Sequence, residues 1–152
     1  MIVRFAGFGG QGIVLSSYII GQSAAFDGKK ALQNQSYGSE SRGGECRGDV
    51  IISGEQINEL EPTQYDVLVV MAQPAYDKFI PMLKPGGILH LATDWQPYAD
   101  HMLEVLQASP DFINLSPTDD YCETPEWRPY TKYEARGERL GHDVRDLLFE
   151  RT

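Results

Sequence analysis

Apolar residues along this chain fall into short runs, each closed by glycine or proline. Met1-Ile2-Val3-Arg4-Phe5-Ala6 is mostly apolar and runs straight into a glycine loop, which predicts a buried parallel strand. From Gln11 to about Asp27, Ile13, Val14, Ile19, Ile20 and Ala24 recur at helical spacing, and Asp27-Gly28 is a stop signal. Lys30 to Ser36 predicts a second strand, Tyr37 to Glu45 a glycine-rich loop, and Asp49 to Ser53 a third strand whose direction the pattern leaves open. The clearest strand signal is Val67-Leu68-Val69-Val70-Met71, within Tyr65 to Ala72. Pro74 to Leu83 predicts a helix with proline at its start. Lys84-Pro85-Gly86-Gly87 is a turn that feeds a strand over Ile88 to Ala92.

The remainder continues the alternation. Trp95 to Ala108 predicts a helix with Met102, Leu103, Val105 and Leu106 on its apolar face and Asp94 or Thr93 as its cap. Phe112 to Leu115 is a short strand, Ser116 to Pro129 a polar segment broken by prolines, Thr131 to about Arg139 a short helix, and Val144 to Arg151 a final strand. Strands alternating with helices predict the α/β class: one Rossmann-like, doubly wound, mostly parallel sheet. The strand–loop–strand ending adds an antiparallel hairpin at one edge. A length of 152 residues fits a single domain over 1–152.

Charge narrows the partners. The formal net charge is −9, and from His90 onward thirteen acidic side chains face six basic ones. Nucleic-acid binding draws on Lys and Arg to neutralise phosphates, so the acidic half argues against it. An acidic, solvated surface keeping a monomer or homo-oligomer in solution is the plainer reading. No apolar run reaches membrane-spanning length and no secretory leader pattern opens the chain. Cys46 and Cys122 lie far apart in no metal-ligand pattern, which fits free thiols in a reducing cytoplasm. His90, His101 and His142 share no ligand spacing, so no metal is expected.

Candidate chemistry starts at Gly7-Phe8-Gly9-Gly10-Gln11-Gly12, a G-x-G-x-x-G loop between strand and helix. Such a loop lets backbone N–H groups approach an anion at a helix N-terminus. Gly7, Gly9, Gly10, Gln11 and Gly12 are the candidate cofactor-binding residues. A dinucleotide site wants an acid at the end of the second strand, where Gln33-Asn34-Gln35-Ser36 stands instead. Three readings remain open: glycines that only permit close strand–helix packing, an incidental phosphate or sulfate site, and an S-adenosylmethionine site. No cofactor is the default expectation.

The fuller pattern is more specific. The glycine loop, then Tyr37-Gly38-Ser39-Glu40-Ser41-Arg42-Gly43-Gly44, then Val50-Ile51-Ile52-Ser53, resembles the gamma subunit or domain of 2-oxoacid:ferredoxin oxidoreductases over residues 1 to about 90. The resemblance implies one part of a larger assembly, with thiamine cofactor and iron–sulfur clusters on partner chains. It also implies interface or ligand-facing roles for Gly9, Gly10, Gln11, Arg42 and Gly43. The chain lacks the cysteines to bind a cluster itself.

From about residue 86 a second family takes over. Ala92-Thr93-Asp94-Trp95, Trp127-Arg128-Pro129, Thr131-Lys132-Tyr133-Glu134, Arg136-Gly137, Leu140-Gly141-His142 and Asp146-Leu147-Leu148-Phe149-Glu150-Arg151 resemble the C-terminal part of bacterial tRNA (guanine-N7)-methyltransferases. By that resemblance Asp94, Thr131, Lys132, Tyr133 and Glu134 would contact the target guanosine. A carboxylate can accept the N–H edge of a purine, and strand carboxyl ends are where open sheets bind ligands. The family's methyl-donor loop and catalytic aspartate have no counterpart in residues 1–85.

The two resemblances predict a chimera, joined near Lys84-Pro85-Gly86-Gly87, with an oxidoreductase-like fragment over 1–87 and a methyltransferase-like fragment over 88–152. An engineered or recombined protein with no catalytic residues, whose role is structural, is the leading expectation. Residual S-adenosylmethionine, nucleotide or guanine binding, weak methyltransferase activity, and a gamma-type subunit needing partner chains are the alternatives.

Overall fold

A computed structural model describes residues 1–38 and 43–152. The chain divides into two compact units, Met1–Lys84 and Pro85–Thr152.

The first unit runs β1 (Ile2–Phe8), α1 (Ile13–Phe26), β2 (Lys30–Tyr37), β3 (Glu45–Ser53), β4 (Val67–Val70) and α2 (Gln73–Phe79), the last extended by a 3₁₀ turn over Ile80–Met82. Its four strands form one sheet in the order β2-β3-β1-β4. β1 pairs in parallel with β4, Val3 opposite Val67, and antiparallel with β3, Ile2 opposite Ile51. β2 is also antiparallel to β3. β1, β2 and β4 therefore point one way and β3 is reversed. The physical reason is chain length. Parallel neighbours need a crossover of a dozen or more residues, and only residues 38–44 separate β2 from β3.

Alternation along β1 sends side chains to opposite faces. Val3 and Phe5 pack with Ala24, Ala31, Val50 and Ile52 on the α1 side. Ala6 packs with Ala75, Phe79, Leu68, Val70 and Met82 on the α2 side. Arg4 lies buried on that second side, bonded to Asp49 through Nε and Nη2, both at 2.6 Å, with its guanidinium between the Tyr65 and Phe79 rings.

Only part of the apolar pattern of α1 meets the sheet: Ile13 and Ala24 do. Ile13, Ser17, Gly21 and Ala24 are buried, while Ile19 and Ile20 face solvent. Small residues let the helix sit close on β3. A Cβ built at Gly48 would lie 2.7 Å from the Ser17 Cβ, so that crossing needs glycine.

The second unit runs β5 (Ile88–Thr93), α3 (Gln96–Gln107), β6 (Phe112–Asn114), α4 (Lys132–Arg139) and β7 (Arg145–Arg151). Its strands form a separate antiparallel sheet, β5-β7-β6. Leu89, Ala99, Leu106, Phe112, Leu147 and Phe149 are its buried apolar residues. One expectation is thereby corrected. The α/β class holds, but a four-stranded mixed sheet and a three-stranded antiparallel sheet replace the single parallel one. The last two strands, β6 and β7, do pair antiparallel with β6 at the edge, but β7 lies centrally and pairs with β5 as well, in a sheet of its own.

Smaller corrections concern element ends. α3 starts one residue late, and neither Asp94 nor Thr93 is its capping residue. Trp95 holds that position with no side-chain cap, while Thr93 Oγ1 accepts the Trp95 N–H at 3.3 Å. Both cysteines are free. Among the described residues no helix is long and apolar enough to cross a membrane.

Candidate functional site

The glycine loop leaves β1 at Phe8 and enters α1 at Ile13. Gly12 precedes the helix at φ +81°, left-handed backbone that suits glycine. The loop is packed with its own atoms. Gln11 Oε1 accepts the Phe8 N–H at 2.6 Å, and Gln11 Nε2 donates to the Met71 carbonyl at 2.9 Å. The Gly9 N–H donates to the Gly44 carbonyl, and the Gln11 N–H to the Phe8 carbonyl. A Cβ at Gly7 would stand 2.4 Å from Gln11 Oε1, so glycine there makes room for the amide that ties β1 to the residue after β4. Gly7, Gly9 and Gln11 are thus brought together by bonds within the protein. Arg42, Ser39, Glu40 and Ser41 lie outside the described residues. Gly43 donates its N–H to the Gly9 carbonyl at 3.3 Å.

In the second unit a polar cluster forms around a residue the pattern did not single out. Asp146, on β7, is 1% exposed. Its register partner on β5 is Ala92, which puts His90 diagonally across on the same face. His90 Nε2 lies 2.7 Å from Asp146 Oδ1, and Thr124 Oγ1 donates to Asp146 Oδ2 at 3.0 Å. Arg128 Nε stands 2.8 Å from Asp146 Oδ1 as an ion pair without hydrogen-bond alignment. Trp127 sets its ring edge-on to His90, with centroids 4.9 Å apart. The available signal was an acid leading directly into the apolar run Leu147-Leu148-Phe149, a position that burial makes costly without partners.

Arg128 carries the cluster to the expected guanosine-binding stretch. It donates to both Glu134 oxygens, from Nη1 at 2.9 Å and Nη2 at 2.5 Å. Thr131 Oγ1 accepts the Glu134 N–H, and Glu134 Oε2 accepts the Thr131 N–H at 3.4 Å, a reciprocal capping box that starts α4. Hydrogen bonds from Arg128, ahead of that from the Thr131 backbone, hold the Glu134 carboxyl below its ordinary range. Glu134 is therefore engaged, not on a bare helix face. Asp94 is exposed and lies against α4 at Gly137, one turn beyond Glu134, where an added Cβ would be 3.3 Å from Asp94 Oδ2. Asp94, Thr131 and Glu134 thus gather about one helix. Lys132 is exposed, and the Tyr133 side chain is outside the description.

Comparison with known proteins finds two families along the chain. Over residues 2–138 the chain matches the family model for pyruvate ferredoxin/flavodoxin oxidoreductase. Over its C-terminal part it is 59% identical across 76 residues to the tRNA (guanine-N(7)-)-methyltransferase of Pseudoalteromonas translucida, half of this chain and 32% of that protein. It is 67% identical across 66 residues to that of Psychromonas ingrahamii, covering 43% of this chain and 27% of that one. The chain thus spans about a third of the length of the curated relatives it matches. Among solved structures, the gamma subunit of a keto/oxoacid ferredoxin oxidoreductase from Geobacter sulfurreducens is 44% identical at TM-score 0.45, covering 57% of this chain and 47% of that one. The pyruvate oxidoreductase subunit PORC of Thermotoga maritima is 23% identical at TM-score 0.48, covering 57% and 46%. The chain belongs to the pyruvate ferredoxin/flavodoxin oxidoreductase family and carries a segment homologous to tRNA (guanine-N7)-methyltransferases in its C-terminal part.

Proposed function

We propose that this chain is a recombined or engineered chimera whose role is structural, with neither parental catalytic site whole. The observation that carries the reading is that both candidate sites spend their polar groups internally. Gln11 fills the glycine loop, and Glu134 is held by Arg128 and by its own helix start. A loop whose Phe8, Gly9 and Gln11 amides already have partners offers fewer donors to a phosphate, and a carboxylate locked to an arginine offers little to a purine edge. On this reading the protein needs no cofactor, acts in the cytoplasm, and grips neither membrane nor nucleic acid. Calorimetric titration with S-adenosylmethionine, its demethylated product, GMP and NAD tests it. The expected result is no heat of binding up to about millimolar ligand. Micromolar binding of any of the four overturns it.

A second reading is favoured by one observation, the exposed carboxylate of Asp94 beside α4. It assigns residual guanine binding to Asp94. GMP binding that is lost in Asp94→Asn and kept in Gln11→Ala would select it.

A further inference from the structure

Among the described residues, Arg128 Nε is the one buried side-chain nitrogen or oxygen without a hydrogen-bond partner. The Arg128 side chain is 10% exposed. Its Nη1 and Nη2 form an end-on fork on Glu134. Nε stands 2.8 Å from Asp146 Oδ1 but out of line with it. A buried donor left unbonded is costly, so an orphan inside an otherwise satisfied cluster needs a physical reason. The reason lies in the two acids. Glu134 is fixed by the capping box that starts α4, and Asp146 by its strand together with His90 and Thr124. One planar guanidinium with a fixed fork cannot line up with both at once.

The first unit shows the alternative geometry. Arg4 donates to Asp49 side-on, from Nε and Nη2, both at 2.6 Å. Arg128 already holds Nε at bonding distance from Asp146, and a turn of its plane brings Nε and Nη2 toward that carboxylate in the same way. Asp146 has room for them. His90 takes one position on Oδ1 and Thr124 one on Oδ2, while a carboxylate offers about four. The Arg128 pKa stands above its ordinary value, first through the hydrogen bonding to Glu134 and against the effect of burial. Asp146 adds to it through its charge, and the hydrogen bond to Asp146 counts least. That order fits a bond made to Glu134 and one still to be made to Asp146.

We propose that Arg128 is a two-position latch, closed end-on over Glu134 in this structure and turned side-on to Asp146 when the Glu134 oxygens are withdrawn from it. The proposal rests on the reading that Glu134 is occupied from within the protein, and it says how that contact opens. Removing one partner of a buried ion pair normally strands a charge. Here the arginine keeps a carboxylate in either position, so Glu134 can be released without leaving a buried cation alone.

The full chain, labelled with nitrogen-15 at arginine, tests this through exchange of the Nε protons with water. In the unaltered protein the Arg128 Nε–H should exchange about tenfold or more faster than the Arg4 Nε–H, which is buried and bonded to Asp49. In Glu134→Gln the Arg128 Nε–H should slow by about tenfold or more as it gains its bond to Asp146. In the double variant Glu134→Gln, Asp146→Asn that slowing should disappear. Equal exchange at Arg4 and Arg128 in the unaltered protein overturns the latch, and that comparison requires no variant to fold. So does an Arg128 Nε–H that is unchanged or faster in folded Glu134→Gln, or a slowing that survives loss of the Asp146 charge. Calorimetric binding of GMP by the unaltered protein would instead strike the reading on which the latch rests, so the two failures are told apart.

Discussion

Arg128 and Glu134 meet through two hydrogen bonds at 2.9 and 2.5 Å, and the same guanidinium stands 2.8 Å from the buried Asp146. One arginine thus links strand β7 to the first turn of α4. The fork of a guanidinium suits this task, and a lysine could not serve both acids in this geometry. Arg128→Lys should loosen α4 without unfolding the unit. Faster amide hydrogen exchange over residues 132–139, with β7 still protected, would show it.

Asp146 is the buried end of that linkage. Asp146→Asn keeps the shape but removes the charge that Arg128 and His90 face, and should destabilise the second unit by about 2 kcal/mol. Urea unfolding followed by Trp95 and Trp127 fluorescence measures it.

Glu134 and Asp66 make acid stability depend on pH. Hydrogen bonding from Arg128 lowers the Glu134 pKa below its ordinary 4.5. Asp66 lies below its ordinary 3.8, chiefly through Lys84 and against the opposing effect of burial, with help from the Ile2 N–H. A carboxyl with a depressed folded pKa stabilises fully above its unfolded pKa and loses that contribution as pH falls through the folded one. Both contributions should therefore be intact near pH 6 and fade below about pH 4. Glu134→Gln and Asp66→Asn should each flatten the acid limb of a plot of unfolding free energy against pH.

Tyr121 acts at the other end of the scale. Burial, then the hydrogen bond from its hydroxyl to Asp100, pushes its pKa up to about 12. A tyrosine with a raised folded pKa stabilises below its unfolded value of 10.0 and loses that contribution as pH rises through the folded one. Asp100→Asn should bring the Tyr121 ionisation seen by ultraviolet titration back toward that value.

Arg4 and Asp49 form the buried pair of the first unit. Arg4→Ala leaves Asp49 without its partner and should cost about 3–5 kcal/mol. Arg4→Met with Asp49→Leu removes both charges and should recover most of that loss. Thermal melts of the three chains separate a costly orphan charge from a pair that is itself strongly stabilising.

Most element positions were legible in the chain. β4 emerged from Val67 to Val70, α4 from the stretch Thr131 to about Arg139, and the end of α1 from Asp27-Gly28. These depend on neighbours a few residues apart, where backbone sterics, capping and side-chain alternation act locally. The two candidate stretches were visible for the same reason, as compact strings at Gly7–Gly12 and Thr131–Glu134.

Strand direction, the buried side of α1 and the hub at Asp146 were not legible, because each depends on residues distant in the chain. β3 reverses because too few residues separate it from β2 for a crossover. α1 lies close on β3 because glycine at 48 leaves room for Ser17. Asp146 is tolerable only where His90, Thr124 and Arg128 converge on it. Local order of the residues was enough to place helices, turns and chemical strings. Which faces are buried, and whether a polar group is free for a ligand or already bonded, followed only once packing brought distant partners within hydrogen-bond range.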